Sequence, residues 1–197
     1  MLEVESICRI ALGGLFVGAA CIGIPHRRRA DRVGGSVSRK EDPSWFWWLM
    51  SAVAPLMALA CVAFLINPRW IDFAGIDLPA GWRLAGIPIG AAGLFVFGWM
   101  FRHLGLNVTS TSMPRANATL VTSGPYRWVR HPMYTAALIL AAGAAMLTAN
   151  LVVMIGGVLM FGLLAARSRV EEQRLIEKFG EAYRRYQQGT GRFFPRV

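Results

Sequence analysis

Two polar segments hold the residue types from which a reactive site can be built. The first is Ala118-Thr119-Leu120-Val121-Thr122-Ser123-Gly124-Pro125-Tyr126-Arg127-Trp128-Val129-Arg130-His131-Pro132-Met133-Tyr134. Gly124-Pro125 marks a turn, and Pro132 suits the first turn of a helix, where its missing N–H costs nothing. His131 then falls at or near the N-cap, beside backbone N–H groups and the positive end of the helix dipole. Such a helix start suits a carboxylate or another anionic group. The same residues also compose an interfacial belt, with Tyr126, Trp128 and Tyr134 at lipid headgroups and Arg127 and Arg130 on lipid phosphate. On the residues alone both readings stand.

The second segment is Arg167-Ser168-Arg169-Val170-Glu171-Glu172-Gln173-Arg174-Leu175. If it is helical, Arg167 and Glu171 are one turn apart on one face. An exposed pair of this kind contributes only a few tenths of a kcal/mol, so stability does not explain it. Beyond it, Leu175, Phe179, Ala182, Tyr183 and Tyr186 follow helical spacing. They predict an amphipathic helix, bent at Gly180, that lies on a membrane or folds back over span ends.

The elements that must position these segments are apolar. Of 197 residues, 55% are hydrophobic and 16% charged, with 21 Lys and Arg against 11 Asp and Glu, and the mean hydropathy is +0.43. Soluble domains run near 25% charged, and here the charge is gathered into compact basic segments between long apolar blocks, as in an integral membrane protein. The blocks are about Ile7 to Ile24, Trp45 to Ile66 and Leu84 to Phe101, followed by Met133 to Ala166, which is 34 residues without a charge. One crossing needs ~20 residues, so this last stretch must turn, and Thr148-Ala149-Asn150 is its polar break. The fold class predicted is therefore all-α and membrane-embedded, with about five transmembrane helices and a cytoplasmic C-terminal amphipathic helix. The first block has its basic cluster after it, not before, and reads as a retained helix. Trp45, Phe46, Trp47 and Trp48 suit entry of the second at the headgroup level.

The segments 25–44, 102–132 and 167–197 carry 18 of the 21 Lys and Arg. Five spans put all three on one face, which the positive-inside rule makes cytoplasmic, together with the C-terminus. Cys8, Cys21 and Cys61 stand singly in apolar blocks and read as packing residues, with no metal site expected. Gly14 and Gly18, and Gly86 and Gly90, have the spacing that allows close helix approach. The basic residues are spread over three juxtamembrane segments, so no nucleic-acid partner is expected.

These parts in their order resemble the isoprenylcysteine carboxyl methyltransferases and their phospholipid methyltransferase-like relatives. The elements that carry the resemblance are Leu120-Val121-Thr122-Ser123-Gly124-Pro125-Tyr126, Arg130-His131-Pro132-Met133-Tyr134, the uncharged hairpin, and Arg167 with Glu171-Glu172. Phe179-Gly180-Glu181-x-Tyr183 and the closing Arg192-Phe193-Phe194-Pro195 complete it. It covers about residues 110–197, and the first two spans match no motif. It implies a multi-pass membrane methyltransferase of the bacterial inner membrane that uses S-adenosyl-L-methionine. Cofactor contacts map onto Ala118, Thr119, Leu120 and Val121, onto Tyr126, onto His131, Pro132, Met133 and Tyr134, and onto Glu171. Arg167 matches an arginine associated with substrate. The implied division is residues 1–103 as three spans with the basic loop 25–44, and 104–197 as the methyltransferase core.

The implied acceptor is a lipophilic or prenylated carboxylate, a prenylcysteine-like group held by Arg167. Within enzymes the alternative is N-methylation of an amine lipid, which requires a base, and Glu172 is available for that in sequence. Outside enzymes, a scaffold that binds anionic membrane lipid also fits the net charge of +10. The oligomeric state is not legible.

Overall fold

A computed structural model describes residues 2–34, 43–107 and 118–196. Its helices are α1 (Leu2–Gly34), α2 (Ser44–Ile66), α3 (Ala80–Leu104), α4 (Pro132–Thr148), α5 (Leu151–Phe179) and α6 (Glu181–Gly189), with short 3₁₀ turns at Pro68–Ala74, Gly105–Asn107 and Gly124–Arg127. The chain is a multi-pass, all-α membrane protein. α1, α2, α3 and α5 are each long and apolar enough to cross a bilayer. α4 has 17 residues, about 26 Å at the usual rise, somewhat short of a ~30 Å hydrocarbon core.

The exposure pattern suits lipid on the outside. Leu56, Leu59, Phe95, Val158 and Leu159 are each more than half exposed, whereas His131, Arg167 and Glu172 are buried. Polar groups thus collect inside the bundle, where they can pair with one another.

The uncharged stretch turns where its polar break lies. α4 ends at Thr148, Ala149 takes a left-handed conformation at φ 46°, and the Asn150 side chain accepts from the Val152 N–H to cap α5. Asn150 also donates to the Ile71 carbonyl at 2.9 Å, tying the hairpin tip to the 3₁₀ turn after α2. On this same side Arg9 donates to the Leu65 carbonyl at the end of α2, and Arg83 donates to the Leu147 carbonyl at the end of α4. Two of the three basic residues outside the positive segments are therefore spent on helix C-termini, whose last carbonyls lack helical partners.

α1 differs from its sequence reading. The apolar block stops at Ile24, yet the helix continues through Pro25 to Gly34. Tertiary packing overrides the proline: Ala30 is fully buried against Met100 and Phe101 near the end of α3, and His26 packs on the Phe101 ring at 5.1 Å.

α3 and α4 approach at glycines. A Cβ at Gly86 would stand 2.7 Å from the Gly143 carbonyl oxygen, and one at Gly143 would stand 2.8 Å from the Gly90 Cα. The Gly86 and Gly90 spacing is thus a packing face. Gly14 is not, since a Cβ there meets nothing, and at Gly18 it meets only the end of Leu94. Backbone cannot yield as a side chain does, so Gly143→Ala is expected to cost about 1–3 kcal/mol through overpacking. Thermal melting in detergent checks this, and a variant that melts at or above the wild-type temperature contradicts it.

Candidate functional site

At the end of the bundle that carries the basic segments, a cavity of about 360 Å³ opens between the helix ends. Drug-sized and cofactor-sized ligands occupy pockets from about 300 Å³ upward. Its lining brings together every residue to which the resemblance assigned a cofactor or substrate contact. Ala118, Thr119, Leu120 and Val121 come from the segment before the Gly124 turn, Tyr126 from that turn, and His131, Pro132, Met133 and Tyr134 from the start of α4. Arg167 and Glu171 come from α5.

Arg167 is 5% exposed although it carries a full charge. The Phe46 ring lies beneath its guanidinium carbon at 4.8 Å, and its Nη1 donates to the Tyr134 hydroxyl at 3.4 Å. Tyr134 in turn donates to Glu171 Oε2 at 2.8 Å. The helical offset of four residues puts Arg167 and Glu171 on one face of α5, and the tyrosine from α4 bridges them. A buried cation and a carboxylate are therefore presented to the same cavity, joined through one phenol.

Glu172, one position further, points elsewhere, because successive helical residues are rotated by about 100°. Its carboxylate accepts from Arg130 Nε at 2.9 Å, from Arg192 Nη2 at 2.6 Å and from Gln187 Nε2 at 3.3 Å, and it faces His131 Nε2 at 3.2 Å. This corrects the sequence reading that offered Glu172 as a base near Arg167: it does not line the cavity and is bound on several sides. The belt reading of Arg130 is corrected too. Its Nη1 donates to the carbonyls of Gln187 and Thr190, so it clasps the C-terminal segment and does not face lipid. Tyr134 is likewise no headgroup anchor, at 1% exposed. Trp128 alone of the three aromatics fits that role, exposed by 51% and carrying Arg127 on its ring.

The clasp closes one wall of the cavity. After α6 the chain runs beside the segment before α4, with Arg130 N–H donating to Gly191 O at 2.8 Å and His131 N–H to Arg192 O at 3.0 Å. Phe193 then packs against His131, Tyr134 and Phe161. His131 is the N-cap residue of α4, as its spacing predicted, and it stacks on Tyr134 at 5.2 Å. Both ring nitrogens face glutamates, Nδ1 standing 3.8 Å from Glu171 Oε2. The imidazole thus lies between the two glutamate carboxylates.

On another wall Asn107 accepts from the Thr119 N–H at 3.2 Å and holds that segment to the end of α3. Gly124 turns the chain at φ +60°, and a Cβ there would fall 2.4 Å from the His103 ring, so a side chain would be strained and would have to displace that ring. The amphipathic face beyond Glu172 folds back over the span ends: Leu175, Phe179, Tyr183 and Tyr186 all line the cavity. Burial pushes the phenols of Tyr126, Tyr183 and Tyr186 well above their usual range, and nearby Glu171 adds to this at Tyr126 and Tyr183. All three remain neutral hydrogen-bond donors.

The sequence reading passed over Arg27, Phe46, Trp47 and Met50, which wall the cavity from α1 and α2. The cluster of aromatics from 45 to 48 was the available signal, but spacing does not say which rings face inward. Phe46 is 2% exposed and Trp48 76%.

The family model described as phospholipid methyltransferase matches residues 82–182, a stretch that runs from α3 to the start of α6 and contains all eleven singled-out residues. The chain belongs to this family. Among its relatives is the protein-S-isoprenylcysteine O-methyltransferase of Xenopus laevis, 31% identical over 118 residues, which are 59% of this chain and 38% of that protein. The enzyme of the same name from Schizosaccharomyces pombe is 36% identical over 79 residues, 40% of this chain and 34% of that one. The cobalt-zinc-cadmium resistance protein CzcN of Cupriavidus metallidurans is 40% identical over 84 residues, 42% of this chain and 38% of CzcN. The chain thus matches little more than a third of the length of these curated relatives. Its fold resembles the structure of the eukaryotic intramembrane Ras methyltransferase ICMT, with a TM-score of 0.56 and 19% identity over 92% of this chain and 61% of that one.

Proposed function

We propose that this family member is an S-adenosyl-L-methionine-dependent methyltransferase that esterifies the carboxylate of a lipophilic, prenylcysteine-like acceptor. The observation that carries this reading is Arg167, a buried cation at the wall of a cavity that Glu171 also lines. Seated on the Phe46 ring and bonded to the Tyr134 hydroxyl, its guanidinium stands at the cavity wall, where a substrate carboxylate can accept from it. The cavity also fits the methyl donor, having the volume of a cofactor pocket, aromatic walls for a flat ring and a carboxylate for an ammonium or ribose hydroxyl.

When bound, the donor supplies a methyl group already activated on sulfur, so transfer to a carboxylate oxygen requires alignment and exclusion of water, and no base. Arg167 holds the acceptor carboxylate through its planar fork of N–H groups. Phe46 and Tyr134 keep that fork from rotating. Glu171 takes the donor's ammonium or hydroxyl groups, and its bond from Tyr134 sets its rotamer. The segment 118–121, the start of α4 and α6 shut out water around the reacting atoms. We further propose that residues 104–197 are the catalytic core, that 1–103 embed it and add one wall, and that the cavity faces the cytoplasm of a bacterial inner membrane.

The family description leaves N-methylation of an amine lipid as the second reading. With Glu172 bound in its clasp, Glu171 is the carboxylate that remains at the cavity for the deprotonation this reaction needs. Incubation with labelled methyl donor, comparing prenyl-thioether acids with amine lipids, is expected to label the acids through a base-labile ester. Label in the amine lipids alone overturns the acceptor. S-adenosylhomocysteine at a hundredfold excess over its Kd is expected to stabilise the protein by about 2.7 kcal/mol. A melting temperature that does not move, together with no calorimetric heat, removes the methyltransferase reading and favours the lipid-binding scaffold.

A further inference from the structure

Arg27 of α1 is exposed, yet it lines the cavity together with Phe101, Leu104 and Tyr126. Its helix is fixed there. Ala30, three positions on, is fully buried against Met100 and Phe101, and Leu104, Tyr126 and Met133 of the cavity wall pack on the same cluster. Arg28 and Arg29 are exposed as well but do not line the cavity, so the positive-inside rule accounts for them. Arg27 makes no ion pair among the described residues. Asp31, one turn further along α1, does not line the cavity. An exposed cation therefore stands at the mouth of the cavity, while Arg167, at 5% exposure, stands deeper.

The charges at this wall do not balance for an acceptor with a single carboxylate. Arg130 is taken up by Glu172, which leaves Arg27 and Arg167 against Glu171. The methyl donor adds a sulfonium, while its ammonium and carboxylate cancel. One acceptor carboxylate then leaves one positive charge unanswered. Methyl transfer turns the sulfonium into a neutral thioether and the carboxylate into a neutral ester, so the excess is the same before and after the reaction. A charge that does not change along the reaction serves binding and not the chemical step. Its counterpart is a second anionic group on the acceptor, seated nearer the mouth than the carboxylate that reacts.

We infer that Arg27 receives a second anionic group of the acceptor, which makes the acceptor a lipophilic acid with two negative charges, one methylated at Arg167 and one retained at Arg27. The inference rests on the carboxylate-acceptor reading above. Its test is steady-state kinetics in neutral detergent with S-farnesylcysteines whose N-acyl chain (succinyl, adipoyl or suberoyl) ends either in a carboxylate or in the matching amide. For wild-type protein the KM of at least one diacid is expected to lie about fivefold below that of its amide, the upper end of what an exposed ion pair contributes, with kcat alike for the two. Arg27→Gln is expected to abolish this preference and to bind S-adenosylhomocysteine as wild type does, whereas Arg28→Gln keeps the preference. About 0.5 M salt is expected to shrink it, because the charge is exposed. Equal KM values for every acid and its amide in wild type overturn the inference, as does a preference lost equally in Arg28→Gln. Weaker binding of S-adenosylhomocysteine by Arg27→Gln also overturns it, by moving Arg27 to the donor. Wild-type protein that binds S-adenosylhomocysteine yet methylates none of these acids overturns the carboxylate-acceptor reading, and this inference with it.

Discussion

Arg167→Ala is expected to lower turnover about a hundredfold or more while S-adenosylhomocysteine still binds within a few-fold of wild type. The separation follows from position. Arg167 touches Tyr134 through its hydroxyl and Phe46 through its ring, whereas Glu171 keeps its own bond from Tyr134, so the donor's contacts survive truncation. What is lost, on the proposed role, is the fork that would orient the acceptor carboxylate. Arg167→Lys retains the charge without the planar pair of donors and is expected to recover only part of the rate. Single-turnover kinetics beside calorimetry make the comparison. Arg167→Ala turning over at the wild-type rate would refute the role, and a loss confined to donor binding would move Arg167 to the cofactor side.

Glu172→Gln is expected to damage the fold more than the chemistry. The change keeps shape but removes the charge that Arg130, Arg192 and His131 share. Removing one member of a buried ion pair typically costs about 3–5 kcal/mol. The low end applies, because the Arg192 side chain is 36% exposed and its interaction is partly screened. A loss of about 3 kcal/mol corresponds to a melting temperature lower by roughly 6–12 °C in a chain of this size. Affinity for S-adenosylhomocysteine is expected to fall as well, since the clasp holds the C-terminal segment and His131 against the cavity. Glu171→Gln supplies the contrast, weakening ligand binding with little change in unliganded melting. A melting temperature for Glu172→Gln within 2 °C of wild type would show that the clasp does not hold the wall.

Much of the architecture was legible because bilayers impose strict rules. An uncharged run of 34 residues exceeds one crossing and must turn, and its polar break turned it. The eleven singled-out residues were legible as a set only through the family resemblance, and they line one cavity. Glu171 and Glu172 were not distinguishable in the same way. Adjacent acidic residues look alike in sequence, yet a rotation of about 100° sends one to the cavity and the other to the clasp. Nor did composition show that a chain continuing through Pro25 stays helical, because the packing of Ala30 on Met100 and Phe101 decides it.

By itself the sequence determined the membrane character, the hairpin, the helix start at Pro132 and the pairing of Arg167 with Glu171 along one face, all of which follow from periodicity, charge spacing and proline chemistry. Only the tertiary structure decided that Phe46 of α2 lies under Arg167, that Arg130 and Arg192 meet on Glu172, and that Tyr183 is buried beside the cavity. The reason is geometric. Local patterns report which face of an element is apolar, while contacts between residues far apart in the chain depend on how helices rotate and cross, and that is settled by packing such as the Gly86 and Gly143 approach.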